Sequence, residues 1–146
     1  MLYHYPKMTS KLEKILEDDP VRPHIPHYMR LNRNRYIACY GDSDSPGAVV
    51  CYSVVDFVPK IGCELFYDDN EKYDTACLYT IWSNNKGDAR KLVFSLLPYL
   101  KDTANVKRIV TLSPDTEMAK RFHISNGAVT YRENTIERTV NYEYLL

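Results

Sequence analysis

The chain has 146 residues, one domain's length, and is 45% apolar and 26% charged, which excludes extensive disorder. Nineteen basic residues balance 19 acidic ones, so the basic excess of a dedicated nucleic-acid binder is missing. No apolar run of about 18 residues spans a membrane, and Met1 to Lys7 hold no apolar signal segment, so a cytoplasmic protein is expected. Residues 1–8 read as a loose arm. Leu12, Ile15 and Leu16 behind Thr9 or Ser10 predict a short capped helix, stopped by Asp18-Asp19-Pro20. Residues 20–35 hold three prolines and then Arg30, Arg33 and Arg35, which predicts a solvated crossover with a local basic patch. Tyr36 to Tyr40 and Ala48 to Val58 form a predicted hairpin around the Gly41–Gly47 turn. Cys63 to Phe66 reads as a further short strand, and Thr75 to Ser83 as a longer one. Asp88 to Leu100 has helical spacing, Val106 to Leu112 is strand-like, and Thr116 to Ser125 is a helix ended by Asn126-Gly127. Residues 128–133 and 136–144 alternate as two last strands.

This order predicts an α+β (α/β layered) domain over 1–146. Cys39, Cys51 and Cys77 lie in apolar runs and read as buried thiols. His24 and His27 sit in proline-rich sequence with no third ligand near, so no metal is expected. Thirteen tyrosines against four phenylalanines are unusual. Tyr36, Tyr40, Tyr52, Tyr79, Tyr131, Tyr142 and Tyr144 fall on predicted strands, where aromatic residues are at home.

The turn from Ser83 to Arg90 runs from a strand into a helix. Such a turn presents unpaired N–H groups and the positive end of a helix dipole. Gly87 permits close approach of a ligand, and Lys86 and Arg90 add positive charge. A pyrophosphate suits this chemistry.

Asn84-x-x-Gly87-x-Ala89 resembles the acyl-CoA pyrophosphate loop of the GCN5-related N-acetyltransferase (GNAT) superfamily, with Asn84 where that pattern has Gln or Arg. The resemblance implies a mixed, largely antiparallel sheet flanked by helices. Its strands 75–83 and 106–112 would splay to form an acyl-CoA cleft. Ile81, Trp82, Ser83, Asn84, Lys86, Gly87, Asp88, Ala89 and Arg90 would then hold acetyl-CoA, or malonyl-CoA. Thr111-Leu112-Ser113-Pro114, Phe122 to Ala128 and Val140 to Tyr144 resemble segments of malonyl-CoA decarboxylases. That resemblance implies catalytic roles for Ser113 and His123 and maps a tyrosine motif onto Tyr142 or Tyr144. Only nine residues separate Ser113 from His123, where decarboxylases carry a long insert.

Acetyl transfer needs a base for the amine, donors for the oxyanion and a proton for the leaving thiolate. The resemblance implies that His123 lies where acetyltransferases often keep a tyrosine near the thiolate, and a histidine, unperturbed near 6.5, is the expected proton donor there. Glu64 and Asp56 are the candidate bases. The expected activity is acetyl transfer from acetyl-CoA to a small-molecule or peptide acceptor, with no nucleic acid or membrane partner. A minimal malonyl-CoA decarboxylase using Ser113 and His123 is the alternative, and a non-catalytic CoA-fold binding protein the third. The sequence leaves a homodimer open.

Overall fold

The computed structural model describes residues 1–145. Strand β1 (Leu2–His4) precedes helix α1 (Ser10–Leu16), strands β2 (Arg35–Gly41), β3 (Pro46–Val55) and β4 (Thr75–Ser83), and helix α2 (Asp88–Asp102). Strands β5 (Arg108–Thr111) and β6 (Ser113–Pro114), helix α3 (Glu117–Ser125), and strands β7 (Val129–Asn134) and β8 (Thr139–Tyr144) follow. The eight strands form one sheet in the order β1-β2-β3-β4-β5-β8-β6, with β7 also on β8. All pairs are antiparallel except β4 with β5. This is the mixed, largely antiparallel sheet flanked by helices that the sequence predicts.

The sheet separates two apolar layers. On one face Val50, Tyr52 and Leu78 meet Leu92, Leu96 and Leu100 of α2. On the other, Val49, Cys51 and Cys77 meet Leu12 and Leu16 of α1. The period of two along β3 feeds both layers, and every residue of that strand is buried. Cys39, Cys51 and Cys77 are buried free thiols, as their setting predicts. The Thr9 side chain caps α1 by accepting from the Leu12 N–H.

Three expectations are corrected. Residues 2–4 are not a loose arm: they pair with Ala38–Tyr40 as β1. Cys63–Phe66 is not a strand but part of a 3-10 turn over Gly62–Phe66. Residues 20–35 are not merely a solvated crossover, and their arginines form no free basic patch. Arg30 is wholly buried, with Nη1 2.7 Å from Oδ2 of the equally buried Asp19. Arg33 and Arg35 both reach the Asp68 carboxylate at 3.1 Å.

Asp19 is the hub of this region. Its Oδ1 accepts from the N–H groups of Val21 and Arg22 and from the Thr80 hydroxyl on β4. Burial pushes its carboxyl up, but the Arg22 N–H, the Arg30 guanidinium, the Val21 N–H and the Thr80 hydroxyl outweigh that and hold it below the usual range. The 19–22 segment is thereby pinned against the sheet where β4 and β5 part.

That parting positions the site. Strand β4 follows β3 along its length but pairs with β5 only over Thr75–Leu78. The last link is the Leu112 N–H donating to the Leu78 carbonyl at 2.9 Å. A bulge falls at the same place: Cys51 faces Thr80 and Tyr52 faces Leu78, which leaves Tyr79 as the extra residue.

Candidate active site

A cleft of about 400 Å³ opens where β4 leaves β5. Ile81, Trp82 and Ser83 of β4 and Ala89 of α2 line one side. Ser113, Phe122 and His123 line the other, and Pro20 and Val21 reach it from the pinned segment. Thus the structure brings Ser113 and His123 to the same cleft as the strand that feeds the glycine turn.

The turn itself is built by backbone contacts. The N–H groups of Asn84 and Asn85 both donate to the Gly47 carbonyl, at 2.7 and 3.1 Å. The Asn84 side chain donates to the Pro46 carbonyl, so it ties the turn to β3 and is not aimed at a ligand. A Cβ at Gly47 would meet the Asp88 carboxylate, so a larger residue there would push that side chain aside. The Ser83 hydroxyl donates to the Asn85 carbonyl and accepts from the Ala89 N–H. Asp88 N–H is taken by the Asn85 carbonyl.

What remains is the N–H groups of Lys86, Gly87 and Arg90, which have no protein partner among the described residues. Gly87 has φ +86° and open space around it, the left-handed conformation that glycine adopts without cost. The Lys86 side chain is exposed. The Arg90 head is already engaged: Nη1 donates to Asn126 Oδ1 at 3.0 Å. Three free N–H groups at the start of a 15-residue helix fit a diphosphate.

His123 is 4% exposed. Its Nδ1 lies 2.7 Å from the Tyr144 hydroxyl, and its ring stacks on Tyr142 at 5.3 Å. Burial pushes its pKa down to about 4. Burial thus favours the neutral ring over the imidazolium that a proton donor titrating near 6.5 would supply. We assign the Tyr144 hydroxyl as donor to Nδ1 across this short contact. The ring's proton then sits on Nε2, which has no protein partner among the described residues, in a side chain that lines the cleft.

Ser113 is 5% exposed and donates to Thr111 Oγ1 at 2.8 Å, not to His123. Glu64 is not brought to the cleft. Its Oε1 accepts from the N–H groups of Lys60 and Ile61 and caps its own 3-10 turn. Asp56 is likewise occupied, accepting from the Glu71 N–H in an exposed loop. Sequence reading missed Asp19, Arg22 and Thr80. The only signal was the Asp18-Asp19-Pro20 helix stop, which conceals a carboxylate whose partners lie as far away as Thr80.

No helix among the described residues is long and apolar enough to cross a membrane. No protein-family model matches the chain, and no curated protein matches its sequence. Solved structures do match. Malonyl-CoA decarboxylase from Agrobacterium vitis superposes with a TM-score of 0.81 at 17% identity, over 100% of this chain and 60% of that one. The Rhodopseudomonas palustris decarboxylase gives 0.78 at 18%, with the same coverage. This chain therefore spans 60% of the length of those decarboxylases. A GNAT-family structure from Desulfovibrio desulfuricans gives 0.65 at 10%, over 99% of this chain and 98% of that one. The chain carries the GNAT fold, in the form that malonyl-CoA decarboxylases also use.

Proposed function

We propose that the chain binds an acyl-CoA thioester in the cleft and transfers an acetyl group to an amine on a small molecule or peptide. The observation that carries this reading is the continuity of the cleft with the turn at α2, with His123 and Ser113 on its opposite wall. The diphosphate would rest on the free N–H groups of Lys86, Gly87 and Arg90, and the thioester would lie between Ser113 and His123. The amine nitrogen attacks the thioester carbon, the N–C bond forms and the C–S bond breaks. Of the two protons lost from the ammonium, one ends on sulfur and one in solvent. The neutral His123 acts through its Nε2–H as a hydrogen-bond donor to the developing oxyanion.

A second reading is decarboxylation of malonyl-CoA. It is favoured by the presence of Ser113 and His123 in one cleft and by the higher superposition on the decarboxylases. There the C–C bond to the carboxylate breaks, CO2 leaves, the enolate oxygen takes a hydrogen bond and the carbon takes a proton.

Millimolar CoA is expected to raise the melting temperature, because a ligand of the native state stabilises it. No shift would overturn both readings. With binding established, CoA release from acetyl-CoA in the presence of amines supports transfer, and acetyl-CoA formed from malonyl-CoA supports decarboxylation. Binding with neither product would leave a CoA-binding protein. Gly87→Val tests the turn. A β-branched residue at φ +86° is strained by roughly 1–3 kcal/mol, so CoA affinity should fall about tenfold or more by calorimetry. Unchanged affinity would remove the turn from the site.

A further inference from the structure

A second cavity, of about 350 Å³, lies on the α1 face of the sheet. Its walls are apolar where Ile25, Met29 and Phe66 contribute, and charged where Arg22 and Glu137 do. The mechanism above uses neither charge.

Arg22 stands where the two diverging strands separate. Its Nε donates to the Tyr79 carbonyl on β4 and its Nη2 to the Leu112 carbonyl that follows β5, both at 2.9 Å. The Asp19 hub fixes the segment that carries it. Nη1 makes no hydrogen bond to the protein among the described residues and faces the cavity side, 3.9 Å from where a Gly62 side chain would begin. Burial lowers the Arg22 pKa, while the charge of Glu137 is among those that oppose the shift.

Glu137 is held independently. Its Oε1 accepts from the Gly62 N–H at 2.8 Å and lies 3.7 Å from that same Gly62 point. The two opposite charges thus flank one spot, yet they form no ion pair. Each is anchored to backbone on its own side, so neither can close the gap without giving up those bonds. A guanidinium nitrogen with spare donors and a carboxylate with a spare oxygen, set apart over an apolar wall, complement a ligand with charges of both signs.

We propose that this cavity binds a small zwitterion, an amino acid with an apolar side chain, its carboxylate on Arg22 Nη1 and its ammonium toward Glu137. The binding of this ligand does not rest on the acyl-transfer reading. Arg22 separates the cavity from the strands that frame the cleft.

The test is calorimetry with L-leucine, isoamylamine and 4-methylvaleric acid, each with and without saturating CoA. Leucine is expected to bind, and each single-charge analogue at least tenfold more weakly. Glu137→Gln should weaken leucine at least tenfold and leave 4-methylvaleric acid unaffected. Gly62→Leu, at a position free of backbone strain, should fill the gap and abolish leucine binding while CoA affinity stays the same. Equal binding of the three ligands, leucine binding that survives Gly62→Leu, or a protein that binds CoA but not leucine would each overturn the proposal. Leucine binding without CoA binding would support the cavity and overturn the acyl-transfer reading.

Discussion

Asp19→Ala is expected to destabilise the fold by about 3–5 kcal/mol, the cost of leaving a buried charge without its partner. Arg30 is wholly buried, and Asp19 is the one carboxylate within ion-pair distance of it among the described residues. The substitution also strands the N–H groups of Val21 and Arg22 and the Thr80 hydroxyl, all of which donate to Asp19 Oδ1. Surface pairs behave differently: breaking the exposed Lys11–Asp44 contact should cost under about 1 kcal/mol. Urea denaturation of the two variants gives the comparison directly. A loss below about 1 kcal/mol for Asp19→Ala would mean that water or a rearranged carboxylate takes over the Arg30 charge. A larger consequence follows for the site, because Arg22 would no longer be held at the strand divergence. Ligand binding at the α1-face cavity should therefore fail in this variant even under conditions where it stays folded.

His123→Ala is expected to lower turnover by about 100–1000-fold, the range seen when one donor to a developing oxyanion is removed. KM for the thioester should change little, because the turn at α2 is untouched. Steady-state kinetics with acetyl-CoA or malonyl-CoA makes the measurement, and wild-type turnover in the variant would remove His123 from the chemistry. The pH behaviour separates a neutral donor from an imidazolium acid. With a folded pKa of about 4 against about 6.5 unfolded, the unfolded state binds more protons between those values. The stability tied to the buried neutral ring is whole above pH 6.5 and drains away as pH falls toward 4. Wild type should thus lose about 3 kcal/mol over that window through this group, and His123→Ala should lose that part of its acid sensitivity. A rate profile breaking near 6.5 that vanished in the variant would contradict the neutral-ring assignment.

The central strands and the long helix were legible because their signals are local. The nearly continuous apolar, β-branched run over 48–55 marks β3 as a strand buried on both faces, and the spacing of Leu92, Leu96 and Leu100 names one face of α2. The glycine turn was legible for the same reason: its chemistry lies within eight residues of sequence, Ser83 to Arg90. The functions of single polar residues were not. Arg30 reads as a solvated cation until Asp19, eleven positions earlier, is folded against it. Glu64 reads as a candidate base, yet its carboxylate is spent on the backbone of Lys60 and Ile61. Strand β1 is only three residues long, too short for a periodic signal, and exists because β2 offers an open edge. Tyr144 was legible as a strand residue, but its hydroxyl role depends on His123 arriving from α3. The tyrosine excess accordingly divides into two kinds. Tyr36 and Tyr52 stack as cross-strand neighbours, while Tyr144 presents its hydroxyl to a ring.

The narrow join between β4 and β5 has a mechanical meaning. Two β-sheet halves, β1–β4 and β5–β8, pair as strands through only four register positions, reinforced by the Leu112 N–H, the guanidinium of Arg22 and side-chain bonds from Arg132, Thr139 and Asn141 to the carbonyls of Val58, Lys60 and Pro59. Force or thermal motion that parts the halves must run through this seam, and the cleft lies along it. A side chain that grips a carbonyl from each half is thus a stitch as well as a wall. Loosening it would weaken the join at the very line on which a ligand would sit.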